Sequence, residues 1–196
     1  MKKIAFPLIA FCATSGCFSL EDLNTDSEFL APGSTGAYSV PLFNERSGSE
    51  TNGQGDGFSY RVGSAVGGGF IGQAGLIPGS DVLPAPATGS ASYTGRWELA
   101  KVTSIFIEGG NINGFSSTDS GTITLLADFD DGSISGASGG LSIDGNVSGG
   151  QLSGDVTYNG TEGDLTGIIG SDQAIGAFHG NDGNQIFAGG FVTEAD

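Results

Sequence analysis

Hydrophobic and polar residues alternate along the second half of the chain. In the first clear run, Tyr93, Trp97 and Leu99 share one face, opposite the polar residues that stand between them. A period of two places successive side chains on opposite faces of a β-strand. Glycine-containing pairs such as Asn159-Gly160 separate the runs and favour tight hairpins. The other alternating runs cover residues 103–108, 122–129, 133–136, 141–147, 152–158, 165–169, 174–179 and 186–192.

These runs predict eight or nine antiparallel strands that follow one another in sequence order. An open sheet of so many strands would expose two edges, and closing the sheet removes them. We therefore predict an all-β fold in which residues 88–196 form an eight-stranded antiparallel up-and-down barrel. Side chains nearly fill a barrel of this size, so Trp97, Phe129 and Phe178 are interpreted as core. Glycines on or beside the apolar faces would let the strands bend; they are Gly95, Gly136, Gly145, Gly154, Gly167 and Gly176.

A small β-rich, handle-like region and a proline-rich linker, residues 36–87, are predicted to precede the barrel. The run 58–62 alternates like a strand. Residues 67–72 match G-x-G-x-x-G, but no helical pattern follows, so we predict a hairpin or loop and no nucleotide site. Three prolines between residues 78 and 86 mark the linker. Residues 17–35 are polar and acidic without periodicity, which predicts a flexible tether.

The N-terminus has the features of a secretory signal peptide over residues 1–16. A basic start is followed by an apolar run over residues 4–11 and then by small residues that lead to Cys17. Gly16-Cys17 resembles the lipobox of bacterial lipoproteins, in which the cysteine becomes the acylated first residue, although Thr14 stands where that pattern usually has leucine. We therefore predict lipidation of Cys17, with ordinary secretion or a buried N-terminal strand as alternatives. Phe18 replaces the aspartate that retains such proteins at the inner membrane, which favours the outer membrane.

Composition and charge exclude several classes of function. The chain has 37 glycines, and its 6 basic and 22 acidic residues give a formal net charge of −16. This charge argues against nucleic-acid binding and against electrostatic docking on anionic lipid. Removal of a signal peptide that contains Lys2 and Lys3 would bring the charge to −18. The same cleavage would remove Cys12, and acylation would consume the thiol of Cys17, so no disulfide is expected.

Candidate catalytic and ligand-binding residues are few. The single histidine, His179, alternates with Phe178 and is predicted to face solvent, with haem ligation as a less favoured alternative. The acidic segments 128–132 and 180–184 contain oxygen ligands that Ca²⁺ accepts, but neither has EF-hand spacing, and aspartate and asparagine also suit tight turns. We predict no metal site and no catalytic residue, since nothing in the sequence matches a nucleophile motif.

Several segments resemble, in order, the C-terminal barrel of transferrin-binding protein B-like bacterial surface proteins. The opening Tyr-x-Gly-x-Trp motif of that barrel is matched at residues 93–97. The resemblance covers residues 88–193 and implies a handle-plus-barrel lobe that captures iron- or haem-bearing host proteins, or small solutes. The partner-binding loops of the larger members have no match, so only a generic binding role is implied. The later matching segments are residues 124–129, 133–136, 176–180 and 187–191.

Taken together, these features predict a non-enzymatic, monomeric surface lipoprotein. It would bind a host or environmental protein or a small solute through strand-end loops and the handle-like region, in iron or haem acquisition, without a resident cofactor. A structural or adhesive β-protein without a small ligand, and a secreted haem-binding protein, are alternatives. An outer-membrane porin is disfavoured because the second strand faces carry Thr, Ser, Asp and Asn, which predicts a wet exterior. The binding residues and the ligand stay open at this point.

Overall fold

The computed structural model describes residues 25–66, 68–109 and 111–196, and these residues form an all-β fold. None of them forms a helix that is long and apolar enough to cross a membrane. Signal-peptide residues 1–16 and Cys17 lie outside the described residues. The strands are β1 (Thr25–Phe29), β2 (Phe43–Thr51), β3 (Gly57–Ser64), β4 (Phe70–Leu76), β5 (Ser90–Glu108), β6 (Asn111–Asp128), β7 (Ser133–Ser138), β8 (Leu141–Ser148), β9 (Gln151–Tyr158), β10 (Thr161–Ile169), β11 (Gln173–Asn181) and β12 (Gln185–Ala195).

Strands β5 to β12 form a closed antiparallel barrel, which confirms the predicted fold class. Each strand pairs with its neighbours in sequence, and β12 closes the barrel against β5. The predicted apolar faces point inward and fill the lumen, where Trp97, Tyr158 and Phe178 are almost completely buried. The apolar side chains are therefore removed from water inside the barrel, and the lumen is a packed core with no room for a ligand channel.

Tight glycine turns join the short strands of the barrel, as their sequences predict. In the β7–β8 turn, Gly139 and Gly140 have φ values of 58° and 88°. In the β9–β10 turn, Asn159 and Gly160 have φ values of 50° and 93°. Two consecutive left-handed residues define a type I′ turn, whose twist matches that of the flanking strands. These turns fix the register that sends every second side chain into the lumen.

The hairpin of β5 and β6 is longer than the sequence pattern predicts. Residues 103–108 were expected to form a separate strand, but they continue β5, which has 19 residues, and β6 has 18. The ladder passes an irregularity between Thr103 and Phe106, where Ser104 has a φ of 52°. Because the first half of β6 is mostly polar, its sequence shows no clear alternation of apolar and polar residues. The distal part of this hairpin projects beyond the barrel.

A second sheet of four strands, in the order β1-β4-β3-β2, precedes the barrel. This sheet is the predicted handle-like region, with one correction. Residues 17–35 were predicted to be a flexible tether, but Thr25–Phe29 form β1, which pairs in parallel with β4. The alternation of β1 is too short to be read from sequence, and its partner strand supplies the hydrogen bonds that order it.

The four-stranded sheet packs on the outer wall of the barrel at β11 and β12. A second buried cluster joins Phe58 and Val62 of β3 to Ala177, Ile186 and Ala188 of the barrel. The approach is close, since a Cβ added at Gly190 would lie 2.4 Å from the Phe58 ring. The exterior was predicted to be wet all round, and this part of the prediction is wrong. The outer faces of β11 and β12 carry apolar residues because another sheet covers them.

The barrel has two ends, which differ in the connections that they hold. The linker end holds the β6–β7, β8–β9 and β10–β11 turns, and the β2–β3 turn reaches it through a hydrogen bond between Asn52 and Gln173. The hairpin end holds the β7–β8, β9–β10 and β11–β12 turns and the projecting part of the β5–β6 hairpin. The linker of residues 77–89, which has no strand, crosses the linker end.

Candidate binding groove

The one histidine lies on the outside of the barrel but is buried. His179 points away from the lumen, as its alternation predicts, yet β1 covers it and leaves 6% of the residue exposed. Its Nδ1 lies 3.0 Å from the Ser27 hydroxyl, and its ring packs edge-on against Phe29 at a centroid distance of 4.3 Å. The prediction of a solvent-facing histidine is therefore wrong. The reason is that β1 was not foreseen.

This environment also decides the chemistry that His179 can offer. Burial lowers the pKa of its imidazole, although the carboxylates of Asp164, Asp26 and Glu28 act in the opposite direction. A neutral, covered imidazole with one ring nitrogen engaged presents no free ligand at the surface. Haem could reach this ring only if β1 moved away from the barrel, so the geometry does not support haem ligation here.

The two acidic segments that were considered for Ca²⁺ use their oxygens to hold turns. The Asp128 carboxylate accepts hydrogen bonds from the backbone N–H groups of Asp130 and Asp131. The Asp182 carboxylate accepts backbone hydrogen bonds from Gln185 and others; burial alone would raise its pKa, but these bonds prevail and lower it. Within the described residues, no group of three or more acidic, histidine or cysteine side chains is arranged to hold a metal ion.

An open groove of about 560 Å³ lies at the linker end, between the barrel and the four-stranded sheet. Four carboxylates from four different segments line it. Asp56 comes from the β2–β3 turn, Asp81 from the linker, Asp172 from the β10–β11 turn and Glu194 from the C-terminal end of β12. Leu83, which is 57% exposed, adds an apolar surface to the rim.

Hydrogen bonds between these segments hold the groove in shape. The side chain of Asn52 donates to Asp56 at 3.0 Å and to Gln173 at 2.7 Å, which ties the β2–β3 turn to the barrel. The backbone N–H of Asp81 donates to the Asp56 carboxylate at 3.0 Å. These contacts join residues up to 121 positions apart, so the groove is formed by the tertiary fold and is largely preorganised.

The linker is fixed to the barrel in the same way. The backbone N–H of Leu83 donates to the Asp172 carboxylate at 3.0 Å, and the buried Gln173 side chain donates to the Asp81 carbonyl at 3.0 Å. The proline-rich segment therefore forms one wall of the groove.

The carboxylates of the groove have no cationic partner among the described residues. The ion pairs within the described part of the chain are Arg61–Glu45, Arg96–Glu98 and Lys101–Asp119, and none of these residues lines the groove. Four negative charges thus converge on one concave surface. Such a surface attracts cations and disfavours anions.

A second acidic feature lies on the exposed wall of the barrel. Asp155 of β9 stands directly opposite Asp144 of β8 on one side and Asp164 of β10 on the other. All three side chains point outward, away from the core. This row is flat and lacks the converging walls of the groove, and we name it the aspartate row.

At the hairpin end, polar side chains close the lumen. The Lys101 ammonium donates to the Tyr158 hydroxyl at 2.6 Å, and that hydroxyl donates to Asp119 at 2.6 Å. The hydrogen bond from Tyr158 lowers the pKa of Asp119, while burial and then the bond to Asp119 raise the pKa of Tyr158. Because side chains pack the lumen and these polar groups close its hairpin end, a ligand would bind on the outside of the barrel.

The groove was only partly foreseeable from the sequence. Strand-end loops and the handle-like region were expected to bind a partner, but no binding residue was predicted. The acidic character of Asp56, Asp81 and Asp172 was visible, yet acids are frequent throughout the chain, and nothing local indicated that these three meet. Asn52 and Gln173, which hold the groove together, gave no signal at all.

Three comparisons relate this chain to known proteins. No family model matches the chain, and no curated protein matches it. Among solved structures, it is similar to intact Ap-TbpB with its N and C lobes, at 13% identity over 80% of this chain and 39% of that one, with a TM-score of 0.48. A structure described as a surface lipoprotein is 14% identical over 79% of this chain and 82% of that one, with a TM-score of 0.49.

HpuA from Kingella denitrificans, solved in complex with human haemoglobin, is 18% identical over 71% of this chain and 56% of that one, with a TM-score of 0.41. This chain spans 39% of the length of the intact Ap-TbpB structure. TbpB is thus among the structures similar to this chain, as the resemblance of the barrel strands predicts. The likeness concerns the fold alone.

Proposed function

We propose that this protein is a non-enzymatic bacterial surface lipoprotein that binds a partner protein in the acidic groove at the linker end. The observation that carries this proposal is the convergence of Asp56, Asp81, Asp172 and Glu194 on one open, preformed surface that none of the described lysine or arginine residues lines. A partner that brings lysine or arginine side chains would supply the missing charges. The exposed Leu83 at the rim would add apolar contact.

Several physical features favour a protein over a small solute. The groove is open and its lining is more polar than apolar, whereas small-molecule sites are usually enclosed and mostly apolar. The lumen of the barrel is packed with buried side chains. Loops held on a rigid scaffold are the usual carriers of binding function. Haem itself is an anion and would be repelled by a chain of net charge −16, so an iron- or haem-bearing protein is the better candidate.

The proposed location follows from the N-terminal sequence. A signal peptide over residues 1–16, followed by an acylated Cys17, would anchor the protein in the outer membrane and expose it at the surface. Residues 17–24 would act as the tether. Secretion without a lipid is the alternative, and radiolabelled palmitate distinguishes the two, because an anchored protein incorporates label that a Cys17→Ser variant does not.

A pull-down tests the binding role. The mature chain is immobilised and exposed to transferrins, haem proteins and free haem, together with mass spectrometry of any unknown retained protein. Two variants with equal charge change are run beside it. The groove variant carries Asp172→Asn and Glu194→Gln. Asparagine keeps the oxygen that accepts from the Leu83 N–H, and the Glu194 carboxylate accepts no hydrogen bond from any of the described residues. The wall variant carries Asp144→Asn and Asp155→Asn in the aspartate row.

We expect the wild type and the wall variant to retain the same protein, and the groove variant to lose it. Retention by all three chains would place binding elsewhere. If no protein is retained at micromolar concentration, the proposal of a capture function fails. Retention of free haem with no protein would favour the haem-binding alternative.

A further inference from the structure

Exposed large apolar side chains concentrate at the hairpin end of the molecule. Of ten such residues among those described, five lie there: Phe43, Val66, Phe106, Ile107 and Phe115. Three separate hairpins or strand starts contribute them. Val66 is 84% exposed and Phe115 is 67% exposed, so they make little contact with the rest of the chain.

Their common location follows from the strand register. Phe43 pairs with Ser64, and Ser64 pairs with Phe70, whose ring lies against the β5–β6 hairpin at Gly114. Val66 lies in the turn that joins β3 to β4. On the β5–β6 hairpin itself, Phe106 is opposite Asn113, which places it on the same face as Phe115, two residues further along β6.

The chain enters the described structure at this same end. Thr25, the first residue of β1, pairs with Phe70, and its carbonyl accepts a hydrogen bond from Asn181 at the end of β11. Residues 17–24 precede it and span at most about 28 Å when fully extended. An anchor at Cys17 would therefore hold the hairpin end near the surface in which the anchor is embedded.

Charge also distinguishes this end from the rest of the molecule. Residues 102–118, which contain the projecting hairpin, include one acidic residue, Glu108. The inward-facing ion pair of Lys101 with Asp119 flanks this segment. The acidic groove, by contrast, lies at the opposite end of the barrel. The β11–β12 turn at this end carries Asp182, so the low charge is a feature of the projecting hairpin, which lies on the side where the chain enters β1.

We propose that the hairpin end is a lipid-contacting surface, in which Phe43, Val66, Phe106, Ile107 and Phe115 dip into the membrane that holds the acyl chains of Cys17. This inference rests on the proposed lipid anchor. Apolar side chains at the interface would add buried apolar area to that of the acyl chains. The arrangement fixes the orientation of the protein, so that the acidic groove at the linker end faces away from the lipid.

The orientation is tested with the mature chain coupled through Cys17 to a maleimide phospholipid in vesicles of zwitterionic phosphatidylcholine. Coupling replaces acylation, so the test does not depend on the natural modification. A tryptophan is introduced either at the hairpin end, by Phe115→Trp, or at the linker end, by Leu83→Trp; both positions are exposed. The emission of each variant is compared in plain vesicles and in vesicles with brominated acyl chains, which quench nearby indoles. The native Trp97 is 1% exposed and gives a constant background.

We expect the Phe115→Trp variant to lose the emission of its added indole in brominated vesicles and the Leu83→Trp variant to keep it. Equal quenching of both, quenching of Leu83→Trp alone, or quenching of neither would overturn the inference. Absence of quenching together with a concentration-dependent dimer would assign the apolar end to a second copy of the chain. Failure of palmitate labelling in cells would remove the proposed anchor, whereas failure of quenching on the coupled protein would remove the lipid contact alone.

Discussion

Replacement of Asp155 by asparagine is expected to stabilise the barrel. Asp155 is the middle member of the aspartate row and stands opposite Asp144 and Asp164 on its two neighbouring strands. Like charges that are directly opposed across strands are destabilising. No lysine or arginine in the described part of the chain forms an ion pair with any of the three. Asparagine keeps the size of the side chain and removes both repulsions.

The size of the effect follows from the register. Opposed residues have Cβ atoms about 5 Å apart, and two unit charges at about that distance in water repel by about 0.8 kcal/mol. Each opposed pair costs about 0.2–1 kcal/mol on measured scales, so two pairs predict a gain of about 0.4–2 kcal/mol. With a urea slope of about 2 kcal/mol per molar, the denaturation midpoint should rise by about 0.2–1 M.

Urea denaturation at low and high salt is the assay, with Asp130→Asn as the matched control. Asp130 is an exposed aspartate in the β6–β7 turn, so its replacement changes the net charge equally without an opposed strand neighbour. At 1 M salt the Debye length is about 3 Å, so the gain at Asp155 should shrink strongly. A midpoint that is unchanged or lower in Asp155→Asn, or a gain that equals the control and persists at high salt, would refute the reasoning.

Three further predictions concern buried contacts. Phe58→Ala should lower the free energy of unfolding by about 3–5 kcal/mol in urea, because Phe58 is fully buried between sheet and barrel, whereas Phe43→Ala at an exposed site should leave it nearly unchanged. Because the pKa of His179 is lower in the folded chain, the unfolded chain binds more protons below about pH 6.5, and the free energy of unfolding should fall with pH by up to about 1.4 kcal/mol per pH unit. His179→Gln should flatten this slope between pH 7 and 5.5, and an unchanged slope would rule out His179 as its source. Tyr158→Phe removes the hydroxyl that bonds both Lys101 and Asp119 and should lower the free energy of unfolding by about 1.5–3 kcal/mol in urea. A loss well under 1 kcal/mol would show that the direct ion pair of Lys101 with Asp119, at 3.6 Å, holds the two charges without the hydroxyl.

The barrel was predictable because its strands are two-sided and its turns are local. Alternation in segments such as 141–147 and 152–158 sets which face is buried, and pairs such as Gly139-Gly140 set the hairpin register. Both signals lie within a few residues of one another. The closure of the sheet was then the physical consequence of too many strands with unprotected edges.

Features that depend on long-range contact were not predictable in this way. β1 is a strand because β4 and the barrel wall receive it, and nothing within residues 25–29 alone shows this. The burial of His179 depends on that strand, so the error about β1 caused the error about the histidine. The acidic groove unites the β2–β3 turn, the linker, the β10–β11 turn and the end of β12, and only the tertiary fold brings them together.

The central claim is that the groove at the linker end binds a partner protein through its carboxylates. The most direct test is the dissociation constant of the partner retained in the pull-down, measured for the wild type, the groove variant and the wall variant, which lose equal charge. The account predicts at least tenfold weaker binding, about 1.4 kcal/mol, for the groove variant, with the wall variant close to the wild type. Equal weakening of both variants would show a general effect of net charge, and unchanged binding of the groove variant would contradict the claim.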